Sequence, residues 1–202
     1  MTRRRALSLA LSLALAMGLS LVVADAEALK SGPPRRVPVD LVVIHTTGGP
    51  TCDPATGRPI WVGAGTLDEN LRTIEAHPRL GIHYMIDRDG TLRASVPEHQ
   101  VAHHVFGHSH RSIAIELIND GDGVDPFGEA QIDALVGLLE RLVARYGLGP
   151  QAIQRHSDLD RGTMPCDRSR RRKVDPGPAF SMPDVIERVF RGQRGSRRTR
   201  RS

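Results

Sequence analysis

The sequence predicts one mixed α/β domain, a central β-sheet flanked by helices. Three observations carry that prediction. The chain has 202 residues, a length that suits a single domain with appendages. It is 39% hydrophobic, which is enough to bury a core and well above the range of disordered chains. Strand-type and helix-type patterns follow one another in the order β-α-β-β-β-α-β-α, which favours helices packed on a sheet. No heptad run, collagen period or long internal repeat is present, so fibrous and solenoid architectures are excluded.

Residues 39–45 contain Leu41-Val42-Val43-Ile44, the continuous apolar run of a buried strand. Residues 66–76 place Leu67, Leu71 and Ile74 at helical spacing behind Thr66 and the acidic pair Asp68-Glu69, the signals of a helix start. Residues 82–87 and 91–96, joined by Arg88-Asp89-Gly90, read as a β-hairpin with an Asp-Gly turn. Residues 112–118 alternate as another strand. Residues 128–146 carry Ile132, Leu135, Leu139, Leu142 and Val143 on one helical stripe and stop at Gly147. Residues 153–155 suit a brief strand, and 183–190 a short closing helix with Pro183 at its start.

The ends lie outside this pattern. Residues 1–28 read as an export signal: Arg3, Arg4 and Arg5 precede an uncharged run over 6–23, and Ala24-Asp25-Ala26 and Ala26-Glu27-Ala28 both fit the small-x-small cleavage pattern. The apolar run is also long enough to span a bilayer, so the segment is either removed or kept as an anchor. Residues 29–37, with Gly32, Pro33 and Pro34, read as a linker. Residues 191–202 hold six arginines and no apolar anchor, and read as a disordered tail suited to anionic wall polymers or a membrane surface. The formal net charge of +5 comes from these ends, because residues 29–190 keep 19 basic and 21 acidic side chains. The folded part is therefore not a nucleic-acid binder by charge. Cys52 and Cys166 are the only cysteines; in an exported chain they can pair, but sequence does not supply the separation that pairing requires.

Nine histidines is a high count, and two of them follow strand-like segments directly: His45 after Ile44 and His156 after residues 153–155. Asp175 sits in a loop stiffened by Pro176 and Pro178. Two histidines and one carboxylate form a ligand set for a hydrolytic zinc, with the fourth position left for water. Glu116 lies between Ile115 and Leu117 in an otherwise apolar strand, on the face of Ala114 and Ile118. A carboxylate there is costly unless it is paired or functional. Of 26 arginines and two lysines, Lys173 is the only lysine beyond Lys30, which marks a position where a compact ammonium differs from a guanidinium.

Four motifs occur in order: Val43-Ile44-His45-Thr46-Thr47; His83-Tyr84-Met85-Ile86-Asp87-Arg88-Asp89-Gly90; Ser112-Ile113-Ala114-Ile115-Glu116-Leu117-Ile118-Asn119; and His156-Ser157-Asp158 ahead of Lys173-Val174-Asp175-Pro176-Gly177-Pro178-Ala179-Phe180. Together they resemble the zinc-dependent N-acetylmuramoyl-L-alanine amidase family, the amidase-2 type related to peptidoglycan recognition proteins, over residues 39–181. The resemblance implies an amidase domain at 38–190, Zn²⁺ held by His45, His156 and Asp175, Glu116 as acid/base and Lys173 at the oxyanion. It implies hydrolysis of the amide between N-acetylmuramic acid and L-alanine in peptidoglycan or muropeptides. The export signal at residues 1–28 gives the expected location, wall-associated in the periplasm or outside the cell. Nothing in the sequence points to an obligate partner, so a monomer is expected. A non-catalytic peptidoglycan sensor and a zinc peptidase acting within the stem peptide are the alternatives. The stretch between His156 and Lys173 is longer and richer in arginine than the family pattern, and its Cys166 rivals Asp175 as third ligand. Val101-Ala102-His103-His104-Val105-Phe106-Gly107 departs from the family's Trp-His-Ala-Gly. His104 and Tyr84 are the expected groove-lining, substrate-binding residues, and His83 is a sheet residue.

Overall fold

A computed structural model describes residues 30–199, with side chains through Arg191. The sequence's export segment, residues 1–28, lies outside the described residues. In chain order the elements are β1 (Leu41–Thr46), β2 (Gly49–Cys52), β3 (Pro59–Val62), α1 (Leu67–Ala76), β4 (Tyr84–Ile86), β5 (Leu92–Ala94), β6 (Ser112–Leu117), α2 (Glu129–Tyr146), β7 (Ile153–Arg155), α3 (His156–Leu159), β8 (Thr163–Met164), β9 (Asp167–Arg171) and α4 (Met182–Thr199). The main sheet has the order β5-β4-β6-β1-β7. β1 runs parallel to both β6 and β7, β4 runs parallel to β6, and β5 returns antiparallel along the edge. This is the expected mixed sheet.

Both faces of the central strands are covered, which is why β1 reads as an unbroken apolar run. Val42 and Ile44 of β1 and Ile113, Ile115 and Leu117 of β6 pack against α2 and α4 through Leu135, Leu138, Leu139, Leu142, Val185 and Val189. On the opposite face Ala114 and Ile118 meet Ile82, Met85 and Leu67 of α1, and Leu41 and Val43 meet Val105. α1 starts where its sequence says it should. Thr66 accepts from the Glu69 backbone N–H, and the Glu69 carboxylate accepts from the Thr66 N–H, so two otherwise unpaired donors are satisfied. α2 ends at Gly147, whose φ of 65° is the left-handed conformation that a glycine adopts without a Cβ penalty.

Four features differ from the sequence-based reading. The β2–β3 hairpin was not expected, because Pro50 and Pro59 and a mostly exposed β3 hide any alternation. The β8–β9 hairpin builds its second strand from Asp-Arg-Ser-Arg-Arg, with no apolar residue to signal it. The segment read as a linker is pinned to the domain: Lys30 donates to the carbonyls of Ile74 and His77, Gly32 N–H donates to Gln100 Oε1 at 2.7 Å, and the Arg35 guanidinium reaches the carbonyls of Glu98, Gln100, His110 and Ser112. The closing helix extends from Met182 to Thr199, so the backbone of the arginine-rich tail is helical that far.

Cys52 and Cys166 form a disulfide with a Cα–Cα distance of 5.9 Å across 114 residues. The bond joins the β2–β3 and β8–β9 hairpins. It also removes Cys166 from contention as a metal ligand, since its sulfur is already bonded.

Candidate metal centre and active site

The parallel strands set the location of the site. In open α/β sheets ligands bind outside the carboxyl ends of the strands. β1 delivers His45 near its carboxyl end, and its register partner on the adjacent parallel strand β6 is Glu116. β7, on the other side of β1, runs directly into His156 at the start of α3. Asp175 arrives on the loop after β9. The backbone N–H of Ser157 donates to the Asp175 carbonyl at 3.0 Å, which ties that loop to α3. Gly177 lets the loop close on the segment that follows β6. Its φ is 86°, and a Cβ there would lie 2.2 Å from the Gly121 carbonyl oxygen.

His45, His156 and Asp175 are all buried, and one ligand atom from each lies within 4.8 Å of the other two. Asp175 Oδ2 stands 2.9 Å from His156 Nδ1 and 3.2 Å from His45 Nδ1. Burial pushes the His45 imidazole down to about 4, against the pull of Asp175, so the ring is neutral at pH 7. Burial would raise the Asp175 carboxyl, but its contacts with the two imidazoles outweigh this and hold it well below the usual carboxylate range. Two imidazole nitrogens and an ionised carboxylate brought this close together could hold a metal ion.

Glu116 is the second element. Burial, reinforced by the Asp175 charge and partly offset by Lys173, raises its carboxyl to about 8. Glu116 and Lys173 line the same cleft as the three candidate ligands, with Thr47, Ile82 and Met85 in its wall. Five sequence-predicted residues (His45, Glu116, His156, Lys173 and Asp175) therefore converge.

Tyr84 does not join them. Its register partner on β6 is Ile115, so it faces α2 and the main core, and its hydroxyl donates to Glu98. Met85, the register partner of Glu116, faces the cleft in its place. The assignment of Tyr84 to the groove is thus corrected by one step of strand alternation. His104 lines the cleft, but each ring nitrogen already has a protein partner: Nδ1 is 2.9 Å from His45 Nε2, and Nε2 is 2.9 Å from Ser112 Oγ. Neither nitrogen is free for a substrate. His83 is a buried sheet residue as expected, its Nδ1 accepting from the Ala114 N–H at 2.9 Å.

Asp160 was missed by sequence reasoning. It lies four residues after His156 on the same helical turn, its carboxylate 4.0 Å from His156 Nε2, and Arg172 clamps it through Nε at 2.9 Å and Nη2 at 2.7 Å. The i, i+4 spacing of His156 and Asp160 was the available signal.

The sequence profile of the N-acetylmuramoyl-L-alanine amidase family matches residues 35–178, which include all five converging residues. The chain belongs to this family. It is an N-acetylmuramoyl-L-alanine amidase, acting on the amide between N-acetylmuramic acid and L-alanine in peptidoglycan. The 1,6-anhydro-N-acetylmuramyl-L-alanine amidase AmpD of Enterobacter cloacae is 31% identical over 154 residues, covering 69% of this chain and 75% of the relative. The N-acetylmuramoyl-L-alanine amidase AmiD of Escherichia coli is 36% identical over 146 residues, covering 61% of this chain and 49% of that protein. The solved complex of AmiD with anhydro-N-acetylmuramic acid-L-Ala-D-gamma-Glu-L-Lys has a TM-score of 0.57 and 26% identity, over 82% of this amidase and 61% of the AmiD chain. Human PGRP-IBETAC, solved with a glycosamyl muramyl pentapeptide, shares the fold at a TM-score of 0.51 and 17% identity, over 79% and 90% of the two chains.

Proposed function

We propose that this amidase is an exported zinc enzyme in which His45, His156 and Asp175 hold the metal, Glu116 moves the proton and Lys173 stabilises the developing charge. The observation that carries this reading is the convergence of two imidazoles and one carboxylate beside a partly buried glutamate at the carboxyl edge of the sheet. The residues fit zinc by donor type, since two nitrogens and one carboxylate oxygen are a recurrent hydrolytic set, and by position, since their ligand atoms lie within 4.8 Å of one another. Zinc bound there supplies Lewis acidity and lowers the pKa of water towards ~7.

The protein's own groups do the rest. The Glu116 carboxylate takes a proton from the attacking water and passes it to the alanine nitrogen as the C–N bond breaks, a role typically worth ~10²- to 10⁴-fold. Its raised pKa places it near neutrality, where an acid/base group exchanges protons most efficiently. The Lys173 ammonium donates to the carbonyl oxygen as it gains negative charge, an interaction on the order of 3 kcal/mol. The apolar wall formed by Ile82 and Met85 limits water around the reacting amide.

Export is supported by the basic, then apolar, opening of the chain and by the Cys52–Cys166 disulfide, a bond that persists in oxidising compartments. The test is digestion of murein by the full chain with mass spectrometry of the products. Free stem peptides, lost on chelation and restored by Zn²⁺, are expected. Fragments cut within the stem identify a peptidase instead, and zinc-dependent muropeptide binding without any product identifies a sensor.

A further inference from the structure

We infer that His104 is a positioning residue for the metal centre: a one-way hydrogen-bond chain from His45 through His104 and Ser112 to the His108 carbonyl presents the bare Nδ1 of His45 to the ion. The inference rests on the zinc reading above. His45 Nδ1 lies 3.2 Å from Asp175 Oδ2, so an ion shared by the cluster takes the lone pair of that nitrogen. A neutral imidazole then carries its proton on Nε2. The partner of that N–H is His104 Nδ1, at 2.9 Å, which must accept. A neutral ring accepting at Nδ1 carries its own proton on Nε2, and this lies 2.9 Å from Ser112 Oγ. The single Ser112 proton goes to the His108 main-chain oxygen at 2.9 Å, leaving an oxygen lone pair free to accept from His104.

Every donor in this direction meets an acceptor. The reverse direction places a proton on His45 Nδ1, where it blocks metal binding. The chain is also well supported. Ser112 is fully buried at the start of β6, the strand that carries Glu116, and the His104 backbone N–H is held by Ser109 Oγ at 3.1 Å. Partners of metal-ligating histidines act in this way, fixing tautomer and ring orientation, and their loss typically costs ~10- to 100-fold in affinity.

The test measures zinc affinity of the full chain by competition with a chromogenic chelator. His104→Leu is expected to weaken binding ~10- to 100-fold while the zinc-free protein keeps its far-UV spectrum. His104→Asn, whose side-chain oxygen can accept from His45 Nε2–H, is expected to recover most of the loss. Long-range ¹H–¹⁵N spectra of the zinc-loaded unsubstituted chain, which depend on no variant folding, are expected to show the protons of both His45 and His104 on Nε2. A proton on His104 Nδ1 overturns the inference, as does unchanged affinity in His104→Leu. Failure of the unsubstituted chain to bind zinc instead overturns the metal reading beneath it.

Discussion

Replacing Glu116 by glutamine separates its cost to the fold from its use in catalysis. The unfolded chain ionises this carboxyl near 4.5, whereas the folded chain holds its proton up to about 8. The folded pKa is the higher, so the group does not weaken the fold below 4.5. Between 4.5 and 8 the unfolded state releases a proton that the folded state keeps, and stability falls by at most about 1.4 kcal/mol per pH unit. Because Glu116 edges a cleft and is not wholly enclosed, a total of roughly 2–4 kcal/mol is expected across the window. Urea unfolding of the metal-free wild type and Glu116→Gln from pH 4.5 to 8.5 measures it. The variant should gain stability relative to wild type as pH rises, then hold a constant margin above pH 8. It should also bind zinc while losing ~10²- to 10⁴-fold in turnover. Parallel stability curves would refute the burial argument, and normal turnover would remove Glu116 from the mechanism.

Tyr84→Phe should leave the rate of murein digestion unchanged and lower stability by about 1 kcal/mol, the loss of one hydrogen bond to Glu98. A large fall in turnover at unchanged melting temperature would return this ring to the groove. Gly177→Ala should destabilise the chain by more than ~2 kcal/mol and weaken zinc binding, because its φ of 86° and the 2.2 Å approach to Gly121 leave no place for a methyl group on the loop that carries Asp175. Calorimetry and chelator competition check both effects, and a wild-type result in each would show that the loop relaxes freely.

The parts of this fold legible in the sequence are those whose pattern is forced by burial on both sides. β1 and β6 announce themselves through Leu41 to Ile44 and Ile113 to Leu117, and α2 through its leucine stripe and Gly147. Glu116 stands out because such a strand has no cheap place for a carboxylate. The hairpins at residues 49–62 and 163–171 were not legible, since their pairing depends on edge hydrogen bonds and on a cysteine bridge that leave little apolar pattern. The orientation of Tyr84 was hidden for another reason: alternation gives two faces, and only the register of β4 against β6 says which face meets Glu116. The pairing of His104 with His45 depends on a loop crossing that residue spacing does not encode.

The Cys52–Cys166 bond closes residues 52–166 of the chain into a covalent ring. Among the described residues the two most exposed large apolar side chains, Phe106 (88% accessible) and Val124 (83%), sit in loops inside that ring, on the kind of exposed tip where proteolytic nicking concentrates. One nick beside Phe106 yields a piece carrying His45 and another carrying Glu116, His156 and Asp175. The two stay joined until a thiol severs the bridge, so a clipped molecule can keep all of its catalytic groups in one particle.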